Sequence, residues 1–207
     1  MVYLIAKNTL GVIIGMYIKR INGIENVPEK GPYIIAANHA SYMDHLILQS
    51  LWARKFNKVM HFLAKKEHFE GIQKFWHIYF GAIPLDRRAG GKDALEKAIS
   101  YLKNGKIIVI YPEGTRTLTG RTQKGKTGVA RLALNAKVPV LPIGLIGTFH
   151  ILPKGKIIPR CKRAVINIGK PMHFEGYYGK ESKKNLRIVT DIIMKDIARL
   201  SKQRDGC

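Results

Sequence analysis

Lys106-Ile-Ile-Val-Ile110, running directly into Tyr111-Pro-Glu-Gly-Thr-Arg116, decides how the rest of this chain is read. Four β-branched residues in succession form a short buried strand, and the Pro- and Gly-bearing turn stops it at once. Buried strands of this kind belong to parallel sheets covered by helices. In such sheets ligands sit beyond the carboxyl ends of the strands. The stretch therefore predicts a fold class and a place to look for chemistry.

Outward from it, strands and helices alternate. Tyr33–Ala37, Val59–Ala64, Ala82–Leu85, Val138–Leu145 and Ala164–Ile168 read as strands. Met43–Arg54, Gly91–Lys103, Thr127–Lys137 and Glu181–Ser201 have helical spacing, and Phe69–Phe80 reads as a short aromatic helix. Asn104-Gly105 caps the second of these. The alternation predicts an α/β fold, a single-domain αβ sandwich around a mixed, largely parallel sheet. Pro139 and Pro142 lack N–H donors, so the strand that carries them is expected at a sheet edge or at a strand end. Val138–Ile143 reads either as core or as a wall of an acyl pocket. Gly114–Gly128 is the one long polar loop.

The chain has 207 residues, enough for one domain with a substantial core. Its 36 Lys+Arg against 14 Asp+Glu give +22. With 46% hydrophobic residues it is no disordered basic tail. The first fifty residues are nearly neutral, so the basic excess lies beyond them. Such a surface attracts polyanions: nucleic acid, anionic lipid, coenzyme A or an acidic carrier protein. Cys161 and Cys207 exclude a disulfide scaffold, and the histidines show no metal-ligand spacing, so no metal is expected.

Val2 to Ile18 is too short an apolar run to span a bilayer and lacks signal-peptide features. On a helical wheel Lys7, Asn8, Gly11, Gly15 and Lys19 share one stripe opposite a broad apolar arc. The segment reads as an N-terminal amphipathic, membrane-associating helix over residues 1–20, with Lys19 and Arg20 at its end near head groups, ahead of a domain at 21–207. An ordinary core-packed helix is the other reading.

Four blocks carry chemistry-bearing residues. In Asn38-His-Ala-Ser-Tyr-Met-Asp44, a strand gives way to a helix. If His39 stands on the turn and Asp44 in the first helical turns, the carboxylate can bind one ring nitrogen and leave the other as a base. Asn38 can hold the turn and Ser41 can cap the helix. No nucleophile elbow is present, which suits a reaction in which a substrate hydroxyl attacks. Gly81 to Arg88 ends with Asp86-Arg87-Arg88, either a phosphate fork or a solvated pair bridged to Asp86. In the third block Gly114 permits close approach of a ligand, Arg116 adds a guanidinium, and Glu113 reads as a brace for an arginine. Arg121, Lys124 and Lys126 follow in a loop that either cradles an anion or is simply solvated. The fourth block is Val138-Pro-Val-Leu-Pro142. Phe69, Ile72, Phe75, Trp76, Ile78, Tyr79 and Phe80 offer apolar surface for an acyl groove, for lipid or for core.

In this order and at these separations the blocks resemble those of the glycerolipid acyltransferases, whose best-known members are 1-acyl-sn-glycerol-3-phosphate acyltransferases. That family's N-H-x4-D, G-x5-R, F/Y-P-E-G-T-R and V-P-[VI]-x-P blocks stand at Asn38–Asp44, Gly81–Arg87, Tyr111–Arg116 and Val138–Pro142, about half the chain. Thr117 matches the Ser or Thr that follows the arginine. The resemblance implies His39 and Asp44 as the catalytic pair. It implies a phosphate site at Arg87, Glu113, Gly114, Thr115 and Arg116, to which the loop adds Lys124. Asn38, Gly81, Pro112 and Pro139 support the motifs. It further implies acyl transfer from acyl-CoA or acyl-carrier protein to a lysophospholipid acceptor, without an acyl-enzyme, a metal or another cofactor. The place implied is the anionic cytoplasmic face of the cell membrane. In better-known bacterial members the membrane element is a two-helix motif, whereas one helix fits before residue 20 here.

Three rivals stand beside this reading. The same chemistry on glycerol 3-phosphate, another lysophospholipid or an ornithine-type lipid uses the same blocks. A hydrolase would use the His-Asp pair with water. A nucleic-acid binder would explain the charge, but no recognition motif accompanies it, and no nucleic acid is expected.

Overall fold

The computed structural model describes residues 10–69, 81–86 and 91–202. Among them seven strands form one sheet: β1 (Ile18–Asn22), β2 (Tyr33–Ala37), β3 (Met60–Lys65), β4 (Ala82–Leu85), β5 (Ile107–Ile110), β6 (Val140–Ile146) and β7 (Ala164–Ile168). Their order is β1-β7-β6-β2-β5-β3-β4. Only the β6–β7 pair is antiparallel; the others are parallel. This is the mixed, largely parallel α/β sheet that the alternation predicts.

Side chains of a strand alternate between faces, and each face is closed by helices. Tyr33, Ile35, Val109, Leu141 and Ile166 pack under α1 (Leu10–Gly15), α2 (Met43–Lys55) and the short α5 (Thr148–Ile151). Ile34, Ile108 and Val140 pack under α3 (Lys92–Lys103), α4 (Gly128–Ala136) and α6 (Lys183–Leu200). Trp52 of α2 is fully buried, and its indole N–H donates to the Tyr33 hydroxyl at 2.8 Å. That satisfies both polar atoms inside the apolar layer.

Two sequence expectations are corrected here. The helix expected through Ile18 ends at Gly15, and Lys19 and Arg20 lie in β1, which pairs with β7 and runs across residue 20. The glycines of the supposed polar stripe are the packing face. Gly11 is buried, and its carbonyl accepts from Ser50 Oγ (3.0 Å) and Arg54 Nη1 (2.9 Å) of α2. Val12, Ile13 and Met16 are left exposed. Residues 1–9 lie outside the described residues, as does the expected aromatic helix beyond Phe69.

The second correction concerns Pro142. Its strand β6 is interior, between β7 and β2. Val140 exchanges hydrogen bonds with Met172, and the Pro142 carbonyl accepts from Gly169 N–H at 2.9 Å. Residues 140 and 142 thus direct their polar groups to the β7 side, where regular pairing starts only at Ile143. The missing donor falls in that gap, so the proline costs no ladder bond. Val140, Leu141 and Ile143 are fully buried core, which settles the choice between core and pocket wall for this block.

Candidate active site

The carboxyl ends of β2 and β5 are neighbours, which brings the first and third blocks together. Beyond β2 the chain turns at Asn38, whose side-chain amide copies a strand. Its Nδ2 donates to Leu145 O at 2.9 Å and its Oδ1 accepts from Leu145 N at 2.7 Å. The turn is thereby fixed to β6, and both amide groups are satisfied inside the protein.

Asp44 stands in the first turn of α2 and is fully buried. Its Oδ2 accepts from His39 Nδ1 at 2.9 Å and from the N–H groups of Ala40 and Ser41, each at 2.7 Å. An ionised carboxylate only accepts, so Nδ1 carries the proton and Nε2 keeps its lone pair. The expected fold-back of His39 onto Asp44 is present. Ser41 Oγ accepts from Met43 N–H at 3.0 Å and donates to Leu152 O at 2.7 Å, so it holds the helix start in place. The Tyr111 ring stacks on the His39 imidazole, with centroids 4.0 Å apart and planes 14° apart. Burial and the nearby Asp44 charge push the Tyr111 phenol well above its usual range.

The third block clamps the backbone of the first. Glu113 Oε1 accepts from His39 N–H at 2.8 Å, and Thr117 N–H donates to His39 O at 2.9 Å. Glu113 Oε2 takes Gln123 N–H at 3.0 Å and Gln123 Nε2 at 3.2 Å. Glu113 was expected to brace an arginine; its partners among the described residues are His39 and Gln123 instead. At 3% exposure its charge is poorly solvated, and three N–H donors supply the compensation.

Burial still dominates and pushes Glu113 up to about 7 from 4.5. Between those values the folded protein keeps a proton that the unfolded chain has lost. The stability this group contributes is therefore full below 4.5 and is lost as pH rises through about 7. Chemical unfolding of wild type and Glu113→Gln at both ends of that window should show the wild type losing stability relative to the variant as pH rises. Parallel pH profiles would show that the carboxyl does not titrate in this range.

Arg116 lays its guanidinium over the Tyr42 ring, 3.3 Å from Cζ to centroid, and its Nη1 is buried without a partner among the described residues. A buried guanidinium nitrogen without an acceptor is the strongest anion-seeking feature here. Gly114 holds φ +73°, and a Cβ there would stand 3.2 Å from Lys126 Cδ, Cε and Nζ. Lys126 thus lies against the bare glycine backbone.

Beside His39 opens a cleft of about 390 Å³. Phe62, Leu63, Leu85, Leu95 and Val109 form its apolar side; Tyr111, Gly114, Lys126 and Thr127 form its polar mouth. Thr115 and Lys124 are exposed and do not line it. Pro112 lines the cleft, and its carbonyl accepts from Lys126 N–H at 2.8 Å. Gly81, at φ +71°, leaves room for His61, and Pro139 O accepts from Ile34 N–H. Arg87 and Arg88 lie outside the described residues. Of the basic loop residues offered as an anion cradle, Lys126 lines the cleft. Sequence reasoning gave no role to Gln123 or the Tyr111 ring. Tyr111, inside a quoted block, carried a local signal, whereas Gln123 acts across a distance that spacing does not reveal.

Main-chain N–H groups near Gly114 or at the His39 turn are obvious donors for an oxyanion. Those of His39, Ala40, Ser41, Gly114 and Thr117 are all bonded within the protein. Lys126 is the charged donor that the cleft itself presents.

The model of the acyltransferase family matches residues 19–146 of the chain. Across 98% of both chains it is 29% identical to the 1-acyl-sn-glycerol-3-phosphate acyltransferase of Bacillus subtilis. It is 32% identical to a chloroplastic 1-acyl-sn-glycerol-3-phosphate acyltransferase of Arabidopsis thaliana over 83% of this chain, and it spans about half of that relative (48%). The crystal structure of PlsC, the 1-acyl-sn-glycerophosphate (LPA) acyltransferase from Thermotoga maritima, superposes with a TM-score of 0.75. That likeness covers 98% of this chain and 80% of the other at 28% identity.

Proposed function

The chain belongs to the acyltransferase family and is an O-acyltransferase, and we propose that it acylates the free hydroxyl of a 1-acyl-glycerol 3-phosphate to give phosphatidate. The observation that carries this reading is one cleft that joins a carboxylate-oriented imidazole to an apolar wall; the third block adds Arg116, whose Nη1 is buried without a partner among the described residues.

The geometry supports the following proposed mechanism. His39 Nε2 removes the proton of the acceptor hydroxyl, and the oxygen attacks the carbonyl of an acyl thioester. Asp44 stabilises the imidazolium that results. The tetrahedral intermediate collapses with return of that proton to the leaving thiolate, so no acyl-enzyme forms. Arg116 holds the acceptor phosphate, with Arg87 of the second block as its partner. Lys126 faces the developing negative charge. The apolar wall from Phe62 to Leu95 takes acyl chain. The donor is acyl-CoA or acyl-carrier protein, both anionic and both suited to a +22 surface. The enzyme works at the cytoplasmic membrane surface, and no helix among the described residues is long and apolar enough to cross a bilayer.

The test is acyl transfer on liposomes that contain lysophosphatidate, with each donor in turn. Phosphatidate formation supports the proposal; donor consumption without phosphatidate would direct the same chemistry to another acceptor. In this assay Arg116→Ala should raise the acceptor KM by about tenfold or more, as expected for loss of a charge-assisted phosphate contact. A fall in kcat with unchanged acceptor KM would remove Arg116 from ground-state phosphate binding.

A further inference from the structure

Ten consecutive residues, Lys154 to Arg163, are exposed. They include Ile157, 90% exposed, and Ile158, 77% exposed, the highest values among the described large hydrophobic side chains. Adjacent apolar side chains left in water mark a surface that something else covers. Around them stand Lys154, Lys156, Arg160, Lys162 and Arg163, with no acid between residues 153 and 163.

The loop is tied at its root. Arg160 N–H donates to Ile151 O at 2.9 Å and Lys156 N–H to Pro153 O at 3.1 Å. Leu152 O accepts from Tyr42 N–H at 3.3 Å and from Ser41 Oγ at 2.7 Å, inside the turn between His39 and Asp44. At the far end Ala164 N–H donates to Tyr17 O at 2.7 Å, just after α1; Val12 and Ile13 of that helix and Met16 beyond it are exposed. Because β7 runs antiparallel to β6, the start of β7 lies at the same sheet edge as the carboxyl ends of β2, β5 and β6. The loop and the site therefore share one edge of the molecule.

We infer that residues 154–163 seat this edge on an anionic lipid bilayer, with Ile157 and Ile158 entering the acyl boundary and the five cations lying against head groups. Charge and apolarity together select the occupant. A bilayer with anionic head groups meets both at once, whereas an acidic protein matches the cations and would need a pocket for the two isoleucines. The inference concerns where the molecule docks and holds whichever lipid is acylated.

The experiment uses the full chain with Cys207→Ser and an environment-sensitive fluorophore on Cys161, within the loop and exposed. It is mixed with vesicles of phosphatidylcholine alone or of phosphatidylcholine and phosphatidylglycerol in equal amounts. Emission should shift to the blue only with the anionic vesicles, and less at high salt. Ile157→Ser/Ile158→Ser should lower the partition coefficient by about tenfold or more, with thermal unfolding unchanged because both side chains are exposed. Three results would overturn the inference: vesicle binding without a spectral shift, a double variant that partitions like wild type, or a shift caused by an acidic carrier protein and not by vesicles.

Discussion

His39→Ala should lower acyl transfer by about 10²–10⁴-fold, the range that a positioned general base contributes. The argument rests on placement. Nδ1 is committed to Asp44 at 2.9 Å, so Nε2 alone is free to take a proton. The Tyr111 ring fixes the imidazole plane, and the ring lines the cleft where an acceptor hydroxyl would lie. The fold should survive, because the stacking contact that is lost contributes about 0.5–1.5 kcal/mol and the backbone clamps on residue 39 do not use its side chain. Turnover and unfolding must be measured on the same preparation. A folded His39→Ala protein with more than about a tenth of wild-type turnover would take the imidazole out of the chemistry.

The second large effect is expected at Asp44, and two substitutions separate its roles. Asp44→Ala removes the acceptor for His39 Nδ1 and strands the buried N–H groups of Ala40 and Ser41. Each orphaned donor costs about 1–3 kcal/mol, so stability and activity should fall together, activity nearly as far as in His39→Ala. Asp44→Asn keeps an oxygen that those two N–H groups hold at the Oδ2 position, so the His39 tautomer is preserved. The negative charge opposite the imidazolium is lost, and the amide NH2 takes the Oδ1 position, which is buried without a partner among the described residues. The Asn variant should lose about 1–3 kcal/mol of stability, less than Asp44→Ala, and fall between wild type and Asp44→Ala in turnover. Wild-type activity in Asp44→Asn would show that the carboxylate orients the imidazole without stabilising its charged form.

The fold was legible where burial leaves a pattern. Tyr33–Ala37 and Ile107–Ile110 are apolar because helices cover both of their faces, and their limits could be read from punctuation alone. Legibility failed where a local rule met a tertiary exception. Pro142 reads as an edge residue because it lacks a donor, yet the donor is missing on the one side where β6 has no regular partner. Ile18–Asn22 reads as the end of an apolar helix because β1 is a flanking strand that pairs, among the described residues, only with β7, and its alternation is weak. At the site, residue types and their order suggested what each block does. They could not show that Glu113 serves His39 through its backbone, since that bond joins residues 74 positions apart. Gln123 is a polar side chain in a basic loop until its two bonds to Glu113 are seen.

The clamp on His39 sets a clock for the site. Its amide hydrogen is covered by Glu113, and the Thr117 amide is covered by the His39 carbonyl. Neither can trade its hydrogen for deuterium until the segment after β5 lifts away from the turn after β2. The two amides should therefore exchange as one unit, slower than neighbouring loop positions and faster than the fully buried strands beside them. A protease that nicks near the exposed Leu118 would shorten that clock while leaving the sheet whole. Such a cut enzyme would keep its melting transition and lose its turnover, because the base would no longer be held where the hydroxyl arrives.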